Sequence, residues 1–470
     1  MQNKLELNTC ERVEQKPDLP NKMPLFNKTF AYSLFTVAAP ITCQNFINSA
    51  VNMADAVMIG RLGKESIAAV GLANQIFFIL NLLLFGLLSG SAVFSSQFWG
   101  KKDVDGIRRT TGLCLIIATV IAGFFTFTCA FFPKSLLAIY SNDAKVIELG
   151  SQYLSIVCLC FFPFAYSFSL TMILRSIGKI KLAVITTALS LILNISLNLV
   201  LIFGLCGFPA YGVQGAAIAT VSSRILELTL VLTVSISKKY PVIGNVQTMF
   251  TIPLKFLKSY FLIASPVVME EILWSLGITM HNLIFSRLGT SEYAAFNIIG
   301  NVSLLLWVLF IGVGNGSAVV IGNNIGKGNI DEAKRFAFFI SILTPLMAIA
   351  VSLLFIPISW LVPLIFDVGS DVLNIVPSLL MVLALFYPAK AFNVVMIVGV
   401  CRGGGDTRFS LFYDVLFMWI FAIPLAYAIS LSSNFAIPYL VYACILSEEA
   451  IKLVLGAKRL KSGKWLHCVV

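Results

Sequence analysis

Residues 55–70 read DAVMIGRLGKESIAAV, and residues 281–296 read HNLIFSRLGTSEYAAF. The core RLG, with AA following shortly after, thus occurs twice at an offset of 226 positions. Pro40 matches Pro266 at the same offset, and GLLSGSAVFSSQFWGKKDVDGIRR (86–109) matches GVGNGSAVVIGNNIGKGNIDEAKR (312–335). Later the offset drifts slightly: LRSIGK (174–179) sits opposite CRGGGD (401–406), and DAKVI (143–147) opposite DVLNI (371–375). Self-similarity on this scale identifies one unit, duplicated.

The surroundings of the repeat are apolar. Of 470 residues 58% are hydrophobic and only 12% charged, and the mean hydropathy is +0.92. A soluble chain carries about 25% charged residues. Stretches such as FFILNLLLFGLL and PLMAIAVSLLFIPISWLV recur at the length of a membrane helix, about 20 residues. Spans are expected at 30–59, 65–98, 109–132, 146–174, 180–204, 211–237, 257–286, 291–321, 335–361, 371–401, 408–432 and 436–457. The net charge of +11 could suggest nucleic acid, but 26 of the 33 Lys and Arg fall in the tails and alternate loops of one side. Arg224 and Lys390 are assigned to spans. That asymmetry is the one that orients membrane proteins, with the basic side cytoplasmic. The polar first residues lack the apolar core of a secretory signal. The ten cysteines show no ligand or redox spacing and read as buried hydrophobes.

The expected fold is all-α and integral to the membrane. Twelve transmembrane helices form two six-helix bundles related by a pseudo-twofold axis along the membrane normal. An even number of spans per copy makes the copies parallel, an arrangement found in secondary transporters. The domains are a tail (1–28), a first bundle (29–237), a cytoplasmic linker (238–256), a second bundle (257–457) and a tail (458–470). Both termini are expected in the cytoplasm, with the protein in the inner membrane and monomeric. The opening motif becomes a tight external hairpin. Gly63 and Gly289 suit a left-handed helix C-cap, Arg61 and Arg287 suit a last turn, and Glu65 and Glu292 suit a first turn.

ADAVMIGRLGKESIAAVGLANQ after a proline-bearing first span resembles the multidrug and toxic-compound extrusion (MATE) family. So do LNISLNLVLIFG (193–204), GVQGAAIAT (212–220), CRGGGDTRF (401–409) and GSAVFSSQFWGKKD (90–103). The resemblance covers about residues 30–457. It implies an alternating-access exporter that exchanges H+ or Na+ inward for small organic, commonly cationic, compounds outward. It implies no cofactor beyond the coupling ion.

Ionisable groups inside spans are costly, about 2.5–3.5 kcal/mol on insertion scales, and are functional candidates. Gln44, Asn48, Asn52 and Asp55 recur at helical spacing and should border water. The family resemblance implies cation coupling at Asp55. Removal from water favours a protonated carboxyl and a bound cation an ionised one, so such a group can exchange ion for cargo. Asn194 and Asn198 form a second stripe, with Thr187 and Ser190. Some family members carry aspartate at the place of Asn198, and Na+ held by Asp55, Asn194 and Asn198 is one option. Glu270 is the repeat counterpart of Gln44 and is read as a second coupling group, with Glu271 turned elsewhere. Trp274 could stack on a cationic aromatic ring. His281, the counterpart of Asp55, reads as structural. Lys390 should need a carboxylate, from Asp414 or from Glu270 or Glu271; Asp414 is also a coupling candidate. Arg224 and Glu227 read as a self-satisfying pair. Arg175 and Arg402 are placed in loops. GGGD lacks the spacing of a phosphate loop, and the chain has no nucleotide cassette. An enzyme is not expected, since His281 and His467 are the only histidines. A flippase for lipid-linked saccharides is the alternative, though it should line its cavity with arginines.

Overall fold

The computed structural model describes residues 28–365, 369–432 and 437–470; the expected tail lies outside it except for Lys28. Hydrocarbon cannot satisfy backbone polar groups, so apolar segments of this length close their hydrogen bonds within helices. Twelve long helical segments follow among the described residues. They are α1 (Lys28–Gly60), α2 (Lys64–Lys101), α3 (Val104–Phe131), α4 (Ala144–Ser176), α5 (Ile180–Phe203) and α6 (Val213–Ser237), then α7 (Leu254–Leu288), α8 (Thr290–Gly326), α9 (Ile330–Val362), α10 (Ser370–Arg402), α11 (Thr407–Ser430) and α12 (Pro438–Ser462). Ten of them, α2 to α11, meet both the length and the hydropathy of a membrane span. In α12 the apolar run is interrupted by Glu448, Glu449 and Lys452.

Irregular turns fall near prolines, which remove an N–H and crowd the carbonyl four residues earlier. A 3₁₀ turn, Cys158–Cys160, precedes Pro163. A π-helical turn, Met418–Ala422, precedes Pro424. A longer π-helical stretch, Val395–Arg402, ends α10. It accounts for the last step of the drift in the repeat. Pro163 pairs with Pro388 at an offset of 225, whereas Arg175 pairs with Arg402 at 227, so the second copy carries two extra residues through this stretch.

The helices sort into two compact units. One is Cys43–Phe261; the other joins the chain up to Thr42 with Leu262–Val470. The boundaries fall inside α1 and α7. In the first unit, the start of α7 supplies Tyr260, fully buried, whose hydroxyl donates to the Leu87 carbonyl at 2.7 Å and lies 2.7 Å from the Ser91 hydroxyl. The rest of this core is aliphatic and aromatic, with Leu80, Leu84, Leu88 and Phe161 shielded completely. In the second unit, the start of α1 packs on α8 and α9, with Phe30 and Phe336 edge to face at 5.7 Å. Gly312 and Gly316, four apart on α8, allow that approach: a Cβ on Gly312 would collide with Thr42, and one on Gly316 would press on Ala38.

At the hairpins, Gly63 (φ 108°, ψ 167°) and Gly289 (φ 154°, ψ 169°) do need glycine's freedom. They occupy the extended positive-φ region at the N-caps of α2 and α8, not the left-handed C-cap expected. Arg287 lies in the last turn of α7 as expected, whereas Arg61 falls just beyond the end of α1. Glu65 and Glu292 occupy first turns. The segment after α12 is packed, not free. Trp465 is fully buried against Gly404, the His467 N–H donates to the Gly404 carbonyl at 2.8 Å, and Arg459 grips Asp406 at 2.6 and 2.8 Å. The GGGD loop is thus a seat for this strap, with Gly405 at φ 81°.

Gly312→Val is expected to lower stability by about 1–3 kcal/mol, the usual cost of overpacking. Gly300→Ala, where a Cβ meets nothing within 4 Å, should leave it unchanged. Thermal unfolding of the two detergent-purified variants beside the wild type checks both.

Candidate functional site

Each unit carries a buried polar cluster. In the unit of residues 43–261 it gathers around Asp55, one turn and a half before the end of α1. Asn198 of α5 donates from Nδ2 to Asp55 Oδ1 at 2.7 Å. The Asn194 amide, one turn earlier, lies 3.2 and 3.3 Å from the two Asp55 oxygens, and its nitrogen can donate to both. Asn198 Oδ1 is buried without a hydrogen-bond donor. No Lys, Arg or His among the described residues comes within 4 Å of the carboxylate. The expected grouping of Asp55, Asn194 and Asn198 is therefore present, as one carboxylate with two amides.

Gln44 belongs to a second chain of contacts in the same unit. Its Nε2 donates to Thr187 Oγ1 at 2.7 Å, and its Oε1 accepts from Arg175 at 2.5 Å. Thr187 in turn donates to Glu227 Oε1 at 2.8 Å, and Arg224 binds the other Glu227 oxygen at 2.8 Å. The Arg224–Glu227 pair is as the sequence spacing suggested, with the guanidinium also over the Phe164 ring at 5.3 Å. Asn48 is half-buried, and of Asn52 only the backbone is described.

The other unit places charge where the first has neutral groups. Arg402 lies within the last turn of α10 and is 4% exposed, and Arg175 lies within the last turn of α4, so the assignment of both to loops is corrected. The glycines after Arg402 suggested a loop, but the π-helical stretch carries the helix through to that arginine. One nitrogen, Nη2, donates to Glu270 Oε1 and Glu271 Oε1, both at 2.8 Å. The two glutamates therefore converge on one cation rather than diverging. Asp414 is bound by Lys452 of α12 at 3.1 Å, and Lys452 also reaches Glu448 at 3.1 Å. Glu449 accepts from Asn393 at 2.8 Å, and Tyr413 donates to that asparagine's oxygen.

Lys390 has none of the carboxylate partners expected for it, because each is engaged by Arg402 or Lys452. It lies instead over the Trp307 ring, 4.7 Å from the centroid, an aromatic face substituting for an anion. Trp274 is 39% exposed and joins neither cluster. His281 is buried with Nε2 unpartnered. Sequence reasoning missed Glu448, Glu449 and Lys452 by counting Lys452 with the tail, and so understated the basic groups within helices. The spacing of Glu448 and Lys452, four apart in an apolar run, was the available signal.

The repeat orders these observations. Gln44 corresponds to Glu270 (offset 226), Arg175 to Arg402 (227), Thr187 to Asp414 (227) and Glu227 to Lys452 (225, the offset between the first residues of α6 and α12). Gln44–Arg175 and Glu270–Arg402 are thus one contact made twice, as are Thr187–Glu227 and Asp414–Lys452. The MatE family model matches residues 40–200 and again 266–428, opening each time on a repeat proline. The chain belongs to the MatE family. It is a multi-pass membrane transporter and not an enzyme.

Relatives agree over nearly full length. An "Uncharacterized transporter YisQ" of Bacillus subtilis (strain 168) is 25% identical over 94% of this chain and 96% of its own. A "Probable multidrug resistance protein NorM" of Pasteurella multocida (strain Pm70) is 26% identical over 86% of this chain and 87% of its own. A crystal structure of MATE in complex with MaL6 superposes with a TM-score of 0.83 at 20% identity, covering 93% of this chain and 97% of that one. The MatE fold of twelve transmembrane helices in two bundles is thereby established for this chain.

Arg402→Met would leave two buried carboxylates without their cation. Breaking a buried pair from one side costs about 3–5 kcal/mol. The expected outcome is a lower unfolding temperature in detergent, partly restored when Glu270→Gln and Glu271→Gln are added to the same chain.

Proposed function

We propose that this MatE transporter is a secondary antiporter that expels small organic cations while a monovalent cation, H+ or Na+, enters through Asp55. The observation that supports this reading is the Asp55 cluster. A carboxylate without a fixed cationic partner, beside two amides and an unpartnered amide oxygen, has a net charge of −1. The amides that donate to it are neutral, so a proton or a metal cation is what would neutralise its charge. The unpartnered Asn198 oxygen beside the carboxylate would serve as a further ligand to a hard cation, which favours Na+ of the two.

Cargo and ion would then alternate. Cation binding neutralises Asp55, releases a positively charged compound and resets the transporter. The second unit fits a supporting role, since Glu270 and Glu271 already bind Arg402, and Asp414 and Glu448 already bind Lys452. The proposed setting is the inner membrane, as a monomer with both termini cytoplasmic. A flippase for lipid-linked saccharides is less well supported, because Arg224 and Arg402 are engaged by carboxylates and are not left for a pyrophosphate.

Efflux of a cationic dye from everted vesicles, with H+ and Na+ gradients imposed separately, tests the proposal. Wild type should respond to at least one gradient, and Asp55→Asn should respond to neither while still binding the dye. Undiminished gradient-driven efflux by Asp55→Asn would remove the assignment.

A further inference from the structure

The unit of residues 43–261 holds a groove that transport through Asp55 does not use. Its volume is about 400 Å³, and it is bounded by α3, α4, α6 and the linker that follows α6. Leu115, Leu228, Leu232, Ile236, Ile243 and Phe250 supply most of its wall. The two lining side chains with polar atoms, Thr119 and Tyr166, spend them on each other, hydroxyl to hydroxyl at 2.8 Å. No carboxylate lines the groove. It therefore offers nothing to an organic cation and everything to hydrocarbon. The linker wall is firmly seated: Gly112 of α3 packs so tightly beneath Met249 that a Cβ would strike the Met249 carbonyl.

The rim at the linker end is basic. Arg108 lies against Gly244, itself part of the wall, so closely that its guanidinium occupies the space of a Cβ there. One edge of that guanidinium bonds Asp105 at 3.2 Å, but its Nε is buried with no acceptor. Lys238 and Lys239 lie two and three residues beyond the groove residue Ile236, are exposed, and form no ion pair within 4 Å among the described residues.

We propose that the groove between α3, α4, α6 and the linker is a binding site for an anionic phospholipid, with an acyl chain inside it and the headgroup phosphate held by Arg108, Lys238 and Lys239. An apolar slot capped by cations at the cytoplasmic surface matches both ends of such a lipid. Arg108, its side chain 29% exposed at this rim, adds a third positive charge for the phosphate.

Native mass spectrometry of the detergent-purified full-length protein, titrated with phosphatidylglycerol and separately with phosphatidylcholine, tests the site. Wild type should retain phosphatidylglycerol preferentially. Lys238→Gln and Lys239→Gln should each weaken that retention about fivefold and leave phosphatidylcholine unchanged. Leu232→Trp, which fills the groove, should abolish the preference, and Leu228→Phe serves the same end should the tryptophan variant misfold. Equal retention of the two lipids by wild type would overturn the proposal, as would filling variants that bind phosphatidylglycerol like wild type. Displacement of the bound lipid by the transported dye would also overturn it, since the groove would then belong to cargo.

Discussion

Hydrocarbon gives a carboxylate no water, so each buried acid of this protein must be met by another protein group or by an ion from outside. The two clusters are two answers to that constraint. Glu270 and Glu271 are met by Arg402, and Asp414 and Glu448 by Lys452. Asp55 is met only by neutral amides. Cations held on the chain cannot leave, whereas an amide cage can accept a visitor and release it.

The duplicated unit shows how that contrast arose without altering the frame. A glutamine that accepts from an arginine in one copy is a glutamate doing the same in the other. A threonine donating to a glutamate becomes an aspartate accepting from a lysine. The helices, prolines and hairpin glycines were retained while the polarity of the contacts was rewritten. In both copies a donor stands opposite an acceptor, although at the second contact the donor has moved from one helix to the other.

Much of the fold was legible because its signals are additive along the chain. Twelve apolar runs, a repeat offset that stays within two residues of 226 and the one-sided distribution of Lys and Arg point the same way, and helix ends fall within a few residues of those expected. The Asp55 grouping was legible too, since side chains one turn apart on two helices can meet only on facing stripes. Partner choice was not. Lys390 needed a carboxylate by any local argument, yet the acids expected for it are engaged by Arg402, which a glycine run made look like a loop residue, and by Lys452, which was counted with the basic groups outside the spans. An aromatic face, which leaves no mark in charge counting, took their place. The glycine hairpins were similarly half-readable: the need for positive φ was visible, the particular region was not.

The π-helical end of α10 has an evolutionary consequence. Two added residues rotate whatever follows by about 200° around a regular helix, and the wider turns absorb that rotation so that Arg402 still faces its glutamates. Segments of the two copies are therefore no longer interchangeable parts. A chimera that transplanted the shorter α4 ending into α10 would deliver its arginine out of phase, toward the wrong side of the bundle. Descent from one ancestor left the halves alike in outline, but this small insertion commits each to its own side of the molecule.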